Sequence, residues 1–208
     1  MRLERYERIL KENIRLQAQI SAEVNSFTYE LYDHDLKSLQ DKHWLNDAII
    51  FVYLNYLLDE NGLKKAFVFD PLMLVTMQQQ RYVSKEILFT WIKPGKVDKM
   101  QILIFPLLVS SHWFLALAIN VEACWYFFLL NSMQSDDDLD HFLLLHEITR
   151  QLVGCNDFKA EFNICDVPQQ KNSYDCGIFL LHFAEIILSK SNILVILFLI
   201  LGFSSNMR

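Results

Sequence analysis

Residues 167–179 read VPQQKNSYDCGIF, and this stretch decides the interpretation of the fold. It places Cys176 between an aspartate and a glycine, after two glutamines and before the apolar run GIFLLHFAEIIL. His182 and Glu185 are the only polar side chains in that run, which predicts a helix buried on nearly every side. A cysteine in the first turn of such a helix lies at the positive end of the helix dipole, which favours the thiolate. Cys176 is therefore a candidate nucleophile, although most buried cysteines serve only as packing.

The composition indicates one folded domain and excludes several classes of protein. The chain has 208 residues, of which 52% are hydrophobic, and a net charge of −6 without any stripe of basic residues, which argues against nucleic acid as a partner. The charged opening residues do not resemble a signal peptide, so we expect reduced thiols inside the cell. The sequence indicates no cofactor, and it predicts no metal site, because CxxC spacing and zinc-finger histidines are missing around the cysteines, which are Cys124, Cys155, Cys165 and Cys176.

The two ends of the chain differ from its middle. Residues 1–26 are rich in good helix formers, which predicts an N-terminal helical arm. Residues 193–203, ILVILFLILGF, form an apolar run shorter than the about 20 residues that a membrane span needs. We expect a buried strand or helix there, with a tail anchor and a misjoined terminal segment as alternatives. These observations divide the chain into the arm, a central domain over residues 27–190 and an atypical apolar tail over residues 191–208.

Helices are predicted at two further places in the central domain. LNDAIIFVYLNYLLDENG reads as a helix capped by Asn46 or Asp47, with Gly62 past its end. Residues 63–96 contain polar stretches and a Pro-Gly turn, which suggest a short helix and a surface loop. A helix with acidic residues in its first turn is predicted from Ser135.

Three short apolar runs with β-branched and aromatic residues predict strands over residues 101–109, 113–119 and 124–130. Pro106 in the first run is best placed on a sheet edge, because proline has no N–H to donate. Pairing the last two strands as a hairpin, with its turn centred between Val121 and Glu122, brings two polar side chains together.

In that hairpin His112 lies directly opposite Asn131. Opposed Cβ atoms are about 4.5–5.5 Å apart, so the Asn131 amide oxygen is within reach of the imidazole. The contact depends on the register, because a slip of one residue turns every facing side chain to the other side.

Together these residues supply the roles that a nucleophilic thiol requires. Cys176 as nucleophile, His112 as base and Asn131 as orienter match the roles in Cys-His-Asn thiol proteases. Gln170 is a candidate donor to the developing oxyanion, together with backbone N–H groups at the helix start. Taken singly, each has a plainer interpretation: a packed thiol, a strand-end histidine, a turn former and a loop glutamine.

Five motifs in order resemble the SUMO-specific (sentrin-specific, Ulp-type) cysteine proteases. Any one of them alone is weak, but five in this order over residues 27–189 make a specific match. They are the WLND of Trp44–Asp47, the HW of His112–Trp113, the NS of Asn131–Ser132, the PQQ of Pro168–Gln170 and the DCG of Asp175–Gly177.

The resemblance implies a papain-like α+β fold with a central, mostly antiparallel sheet and a buried helix that carries the nucleophile. It implies the same four roles for Cys176, His112, Asn131 and Gln170. It also implies that Trp44 and Trp113 roof the slot for the substrate tail, although both also fit a plain role as core aromatics. Only residues without side chains can thread between two indoles.

The function that the resemblance implies is a thiol protease that cleaves after the C-terminal Gly-Gly of SUMO, in precursor maturation or isopeptide deconjugation. Its partners would be SUMO or another ubiquitin-like modifier and its conjugates, met by a monomer inside the cell, in the nucleus or alternatively the cytoplasm. Residues 172–177, NSYDCG, resemble the subgroup for the Nedd-type modifier, which gives one alternative. The family's usual aspartate is Asn131 here, and the domain normally continues past the cysteine helix. A weakly active or inactive pseudo-protease that binds a modifier is therefore the other alternative.

Overall fold

The computed structural model describes residues 31–79, 83–133, 138–154 and 157–190, together with residues 192, 195, 196 and 200. The arm predicted over residues 1–26 lies outside the described residues, and so do Cys155 and most of the tail.

The described chain contains both helices and strands, with three consecutive strands in its middle. The helices are α1 (Asp33–Lys37), α2 (Asp47–Glu60), α3 (Pro71–Gln79), α4 (Lys85–Trp91), α5 (Asp138–Val153) and α6 (Cys176–Leu188). The strands are β1 (Ala66–Val68), β2 (Ile102–Val109), β3 (His112–Val121), β4 (Cys124–Leu130) and β5 (Lys159–Ile164).

The strands form one sheet in the order β1-β2-β3-β4-β5. The central pairs β2–β3 and β3–β4 are antiparallel hairpins, whereas β1 and β5 join the outside in parallel. This mixed sheet with a buried cysteine helix confirms the predicted α+β papain-like fold class. The three predicted strands correspond to β2, β3 and β4. Pro106 lies beyond the stretch of β2 that the short strand β1 pairs, so it occupies a local edge as predicted.

The predicted register of the β3–β4 hairpin is wrong by two residues. Val121 pairs with Cys124 and Leu115 with Leu130, so the turn consists of Glu122 and Ala123 alone. Both have positive φ, 50° and 65°, as a two-residue type I′ turn requires. A shift of two residues keeps every side chain on its predicted face, because side chains alternate with a period of two.

Helices cover both faces of the sheet, which is why its strands read as continuous apolar runs. Odd-numbered residues of β3, such as Leu115 and Leu117, pack with α2 and α6 in what we name the first core. Even-numbered residues, such as Phe114 and Ala116, pack with α3 and α5 in the second core. The sheet is therefore fixed from both sides.

The helix predictions differ in accuracy. Asn46 caps α2, because its side chain accepts a hydrogen bond from the Ile49 N–H at 3.0 Å, and Gly62 follows with φ of 62°. Helix α6 begins at Cys176 as predicted. The helix predicted from Ser135 is described from Asp138 onward. The expectation of one short helix and a loop over residues 63–96 missed β1 and a second helix.

Two described residues of the apolar tail pack inside the domain, whereas Val195 is exposed. Ile196 and Ile200 are fully buried in the first core, and the Ile196 N–H donates to the Asn192 carbonyl. For these residues the structure agrees with a buried helical segment. Within the described ranges, each helix is too short or too polar to cross a membrane.

Candidate active site

Cys176 is the first residue of α6 and is only 1% exposed. The following residue, Gly177, has no room for a side chain, because an added Cβ would lie 2.9 Å from the Cβ of Leu45. The glycine therefore lets the first turn of α6 lie directly against the segment that contains Trp44 and Leu45.

His112 and Asn131 are joined by a hydrogen bond at one end of the sheet. The distance from Nε2 of His112 to Oδ1 of Asn131 is 2.7 Å. Asn131 follows β4 and is 3% exposed, while the imidazole also stacks on Phe114 with ring centroids 5.9 Å apart. The predicted contact exists, as a diagonal rather than a directly opposed pair.

The hydrogen bonds of Asn131 fix the tautomer of His112. Oδ1 of Asn131 also accepts from the backbone N–H of Met133 at 2.9 Å, so this atom of the amide is the oxygen. Nε2 of His112 must then carry the hydrogen that it donates. In the neutral ring, Nδ1 is left as the basic nitrogen.

The loop over residues 167–175 is attached to the end of β4 by two glutamines. The side-chain amide of Gln169 donates to the carbonyl of Asn131 at 3.0 Å and to that of Val167 at 2.9 Å. The Gln170 N–H donates to the Ser132 carbonyl at 2.9 Å, and the Ser132 hydroxyl donates to Oε1 of Gln170 at 2.8 Å. These bonds hold the loop next to the His112–Asn131 pair.

Gln170 directs the hydrogens of its amide to one group inside this loop and to one outside it. Nε2 donates to the carbonyl of Asn172 at 2.7 Å and contacts the sulfur of Met133 at 3.4 Å. A thioether is a weak acceptor, and Met133 is 52% exposed. One N–H of Gln170 is thus firmly bonded and the other faces a weak, displaceable partner.

Asn172 connects Gln170 to the start of α6. Its Oδ1 accepts from the backbone N–H groups of Tyr174 at 3.1 Å and Asp175 at 3.0 Å, which is a local Asx turn. Its Nδ2 donates to the Asp175 carboxylate at 2.7 Å. A continuous chain of contacts therefore runs from His112 through the loop to the residue before Cys176.

The two tryptophans occupy different environments. The indole N–H of Trp44 donates to the Ser173 carbonyl at 2.8 Å, and Trp44 is 52% exposed. The indole N–H of Trp113 donates to the Leu45 carbonyl at 2.8 Å, and Trp113 is 3% exposed within the first core. Both hydrogen bonds tie the WLND segment to the candidate site, and Trp44 is the one with an open ring.

Cysteines elsewhere in the described chain contrast with Cys176. Cys165 follows β5 and is fully buried, and this burial raises the pKa of its thiol to about 12. A neutral thiol of this kind is inert toward electrophiles. Cys124 is partly exposed at the start of β4. Among the residues that the structure describes, no group of three His, Cys, Asp or Glu side chains is arranged to hold a metal ion.

Sequence reasoning missed the residues that connect the predicted ones. Gln169 was noticed only as one half of a glutamine pair, and Asn172 was not singled out. A local signal for Asn172 exists, because an asparagine in a polar loop commonly accepts a hydrogen bond from the backbone N–H two residues later, which forms an Asx turn. No comparable local signal marks Gln169, whose contact with Asn131 crosses 38 positions.

The fold and the candidate site define a class. A mixed sheet, a cysteine at the tip of a buried helix and a histidine–amide pair at the strand ends are the architecture of papain-like thiol proteases. Residues 43–193 match the model of the Ulp1 protease family, C-terminal catalytic domain, and the chain belongs to that family.

Curated relatives agree with this assignment. Ubiquitin-like-specific protease 1 of Saccharomyces cerevisiae is 25% identical over 164 residues, which are 75% of this chain and 25% of the relative. A sentrin-specific protease of Caenorhabditis elegans is 25% identical over 172 residues, 78% of this chain and 24% of the relative. The probable sentrin-specific protease 8 of Dictyostelium discoideum is 26% identical over 74% of this chain and 70% of the relative. The chain spans about a quarter of the length of the first two.

Solved structures share the fold. The yeast Ulp1 protease domain in complex with Smt3, the yeast ortholog of SUMO, aligns with a TM-score of 0.62 and 21% identity over 88% of this chain and 85% of that one. A de-sumoylating protease aligns with a TM-score of 0.69 and 17% identity over 84% of this chain and 73% of that one. At these identities the likeness concerns the fold.

Proposed function

We propose that this chain is a thiol protease that cleaves after the C-terminal Gly-Gly of SUMO, in precursor maturation, in isopeptide deconjugation or in both. Cys176 is the nucleophile, His112 the base, Asn131 the orienter and Gln170 a donor to the oxyanion. The family membership supports the reaction class, and the names of the relatives support the modifier. Nuclear residence inside the cell and a monomeric state are parts of the same proposal.

The observation that carries the proposal is the hydrogen bond between His112 and Asn131. It is supported by a buried environment on the Asn131 side and by stacking on Phe114, which together limit the motion of the imidazole. Because Nε2 carries the hydrogen, Nδ1 is the atom available to take the thiol proton. A base that is held by a third group in this way is the usual requirement for an activated nucleophile.

In the proposed reaction, the Cys176 sulfur attacks the carbonyl carbon of the terminal glycine, and its proton passes to Nδ1 of His112. The new S–C bond gives a tetrahedral oxyanion, which Gln170 and the first N–H groups of α6 stabilise. Collapse breaks the C–N bond, and His112 returns the proton to the departing amine. Water then hydrolyses the thioester with His112 as base, which releases the glycine carboxylate and the free thiol.

The proposed tail slot lies between Trp44 and Trp113. Trp44 supports it because its open ring is anchored to Ser173, three residues from Cys176. Trp113 is 3% exposed, so its support is indirect: its N–H fixes the neighbouring backbone at Leu45. Each glycine lacks a Cβ, so a Gly-Gly tail is narrow enough for a slot between two indoles.

The test is covalent capture by a SUMO protein whose terminal glycine is replaced by an electrophile. Wild-type protein is expected to form an adduct that survives denaturing electrophoresis, and Cys176→Ala is expected to form none. Cys124→Ala is the matched control, because it removes a more accessible thiol and should retain capture. Adduct formation that depends on Cys124, or no adduct at all, contradicts the proposal.

Two sequence features support second candidates. Asn131 in place of aspartate supports a pseudo-protease that binds a modifier without cleaving it, and NSYDCG supports the Nedd-type modifier as substrate. Parallel electrophilic probes made from SUMO, the Nedd-type modifier and ubiquitin separate these candidates. Binding without capture favours the pseudo-protease, and preferential capture by the Nedd-type probe favours the sister protease.

A further inference from the structure

Asp175 is the residue before the first turn of α6, yet its carboxylate does not cap the helix. An aspartate at this position normally accepts hydrogen bonds from the N–H groups two or three residues later, because the first turn of any helix leaves these donors unpaired. No such bond forms from the Asp175 side chain. Instead Oδ2 of Asp175 accepts from Nδ2 of Asn172 at 2.7 Å.

Asn172 can hold the carboxylate because the backbone fixes its amide. Oδ1 of Asn172 accepts hydrogen bonds from the backbone N–H groups of Tyr174 and Asp175, which determines which amide atom is the oxygen. Nδ2 therefore points to Asp175 and donates. The carbonyl of the same residue accepts from Gln170, so the residue is bonded on three sides.

We propose that Asn172 is a positioning residue that holds the Asp175 carboxylate away from α6 and so keeps the first-turn N–H groups free for the Cys176 sulfur and the substrate oxygen. A carboxylate released from Asn172 would turn to those N–H groups, because they are the nearest strong donors without a helical partner. It would place a negative charge at the helix start, where the dipole otherwise favours a thiolate. It would also occupy donors that the oxyanion needs. This inference rests on the proposed function and adds a residue to it.

A double-mutant cycle on the full chain tests the inference. The proteins are wild type, Asn172→Ala, Asp175→Ala and the double variant, and the substrate is SUMO with a fluorogenic amide at its C-terminus. We expect Asn172→Ala to lower kcat by about tenfold with KM nearly unchanged, because it releases a charge next to the thiol without touching the modifier. With Ala at position 175 there is no carboxylate to release, so the same substitution should cost less than about twofold.

A second readout does not use the substrate. The rate of Cys176 alkylation by iodoacetamide at one fixed pH is followed by mass spectrometry, with Cys124 in the same protein as the internal reference. Asn172→Ala should slow alkylation of Cys176 relative to Cys124, and Asp175→Ala in the same chain should restore it. If Asn172 had only a structural role, Asp175→Ala would not restore the alkylation rate that Asn172→Ala lowers.

Asn172→Ser is the control for the possibility that Asn172→Ala acts by unfolding the loop. Its hydroxyl still accepts from the backbone N–H groups of the turn but does not reach the carboxylate. It should reproduce the loss and the rescue. Equal losses of kcat and of alkylation in both backgrounds would overturn the inference. If wild type cleaves no SUMO substrate, the proposed function fails, and the alkylation cycle still decides the role of Asn172.

Discussion

The two sides of the candidate site are built differently. On the strand side, His112 and Asn131 lie at the ends of β3 and β4, between two cores that are almost completely buried. On the loop side, residues 167–175 form neither helix nor strand. They are held mainly by three side-chain amides, those of Gln169, Gln170 and Asn172.

The difference lies in what maintains each geometry. Burying a large side chain such as Leu or Phe contributes about 1.5–3 kcal/mol, and many such residues fix the strand side. A hydrogen bond contributes only about 0.5–1.5 kcal/mol net, and a few of them fix the loop side. Folding itself therefore places the imidazole, whereas a small set of amides places the proposed oxyanion donor and the helix start. Substitutions on the strand side should alter stability first, and substitutions on the loop side should alter activity first.

Phe128→Ala should produce the largest stability effect on the strand side. Phe128 lies on β4, the strand that precedes Asn131, and its side chain is fully buried in the first core. We expect the free energy of unfolding in urea to fall by about 3–5 kcal/mol, because the deletion leaves a cavity. Leu143→Ala is the control, since Leu143 is 68% exposed and should change stability by less than about 0.5 kcal/mol. Similar losses of stability for both variants would mean that burial in the first core is not what stabilises the sheet.

Gln170→Ala should show the opposite pattern on the loop side. We expect kcat on a SUMO substrate to fall by about 10²–10³-fold, the usual cost of one oxyanion donor. The urea midpoint should move little, because the lost hydrogen bonds belong to a half-exposed loop. Gln169→Ala is the matched control: it removes an adjacent amide that supports Asn131 and should cost less activity. A larger loss of kcat in Gln169→Ala than in Gln170→Ala would mean that Gln169, and not Gln170, is the oxyanion donor.

The sequence signals were sufficient where they were local and repeated. The strands β2, β3 and β4 are long apolar runs buried on both faces, and Asn46 and Cys176 mark the starts of α2 and α6. Such features follow from nearest neighbours in the chain. The strands that were missed, β1 and β5, join the sheet in parallel through distant segments. Strand β1 has only three residues and shows no period. Strand β5, KAEFNI, alternates polar and apolar residues, which is a strand signal that sequence reasoning overlooked.

The site was predicted in part for a similar reason. The hairpin register was wrong because the turn of Glu122 and Ala123 lacks the Asn or Gly that usually marks positive φ at both positions. The contact of His112 with Asn131 was still correct, because an error of two residues preserves the face. The bond between Gln169 and Asn131 depends on how the loop folds back, which no residue spacing encodes. The side-chain bonds of Asn172 are local and follow the Asx-turn pattern, so that residue could have been found.

Asn131→Asp tests whether the strand side limits turnover. The carboxylate would accept the same hydrogens from His112 and Met133 and would add a negative charge that stabilises the imidazolium. We expect kcat to rise by up to about tenfold, which corresponds to 1.4 kcal/mol of transition-state stabilisation. Asn163→Asp, the same change on β5, should leave kcat as it is. Unchanged or lower turnover in Asn131→Asp would mean that the site is built around an amide or that the orienter is a different residue.

The smallest expected effect is a pH dependence of stability that arises away from both sides, on α5. Burial lowers the pKa of His146 below its usual range, and the positive charge of Arg150 lowers it further. The negative charge of Glu147 acts in the opposite direction but does not cancel the effect of burial. The unfolded chain therefore binds a proton more readily than the folded one, and stability should fall as the pH drops through about 6.5. The loss should stay well below the 1.4 kcal/mol of a full pKa unit, because solvent screens this half-buried ring.

His146→Gln should flatten the plot of urea midpoint against pH between about pH 7 and 5. Glu147→Gln is the comparison variant and should keep or steepen the slope, because it removes the charge that raises the pKa of His146. The contribution of Glu147 itself is lost only at more acidic pH, because the Arg150 hydrogen bond lowers its pKa. A slope that persists in His146→Gln would assign the effect to another histidine. A slope that disappears in both variants would mean that the two neighbours titrate as one unit.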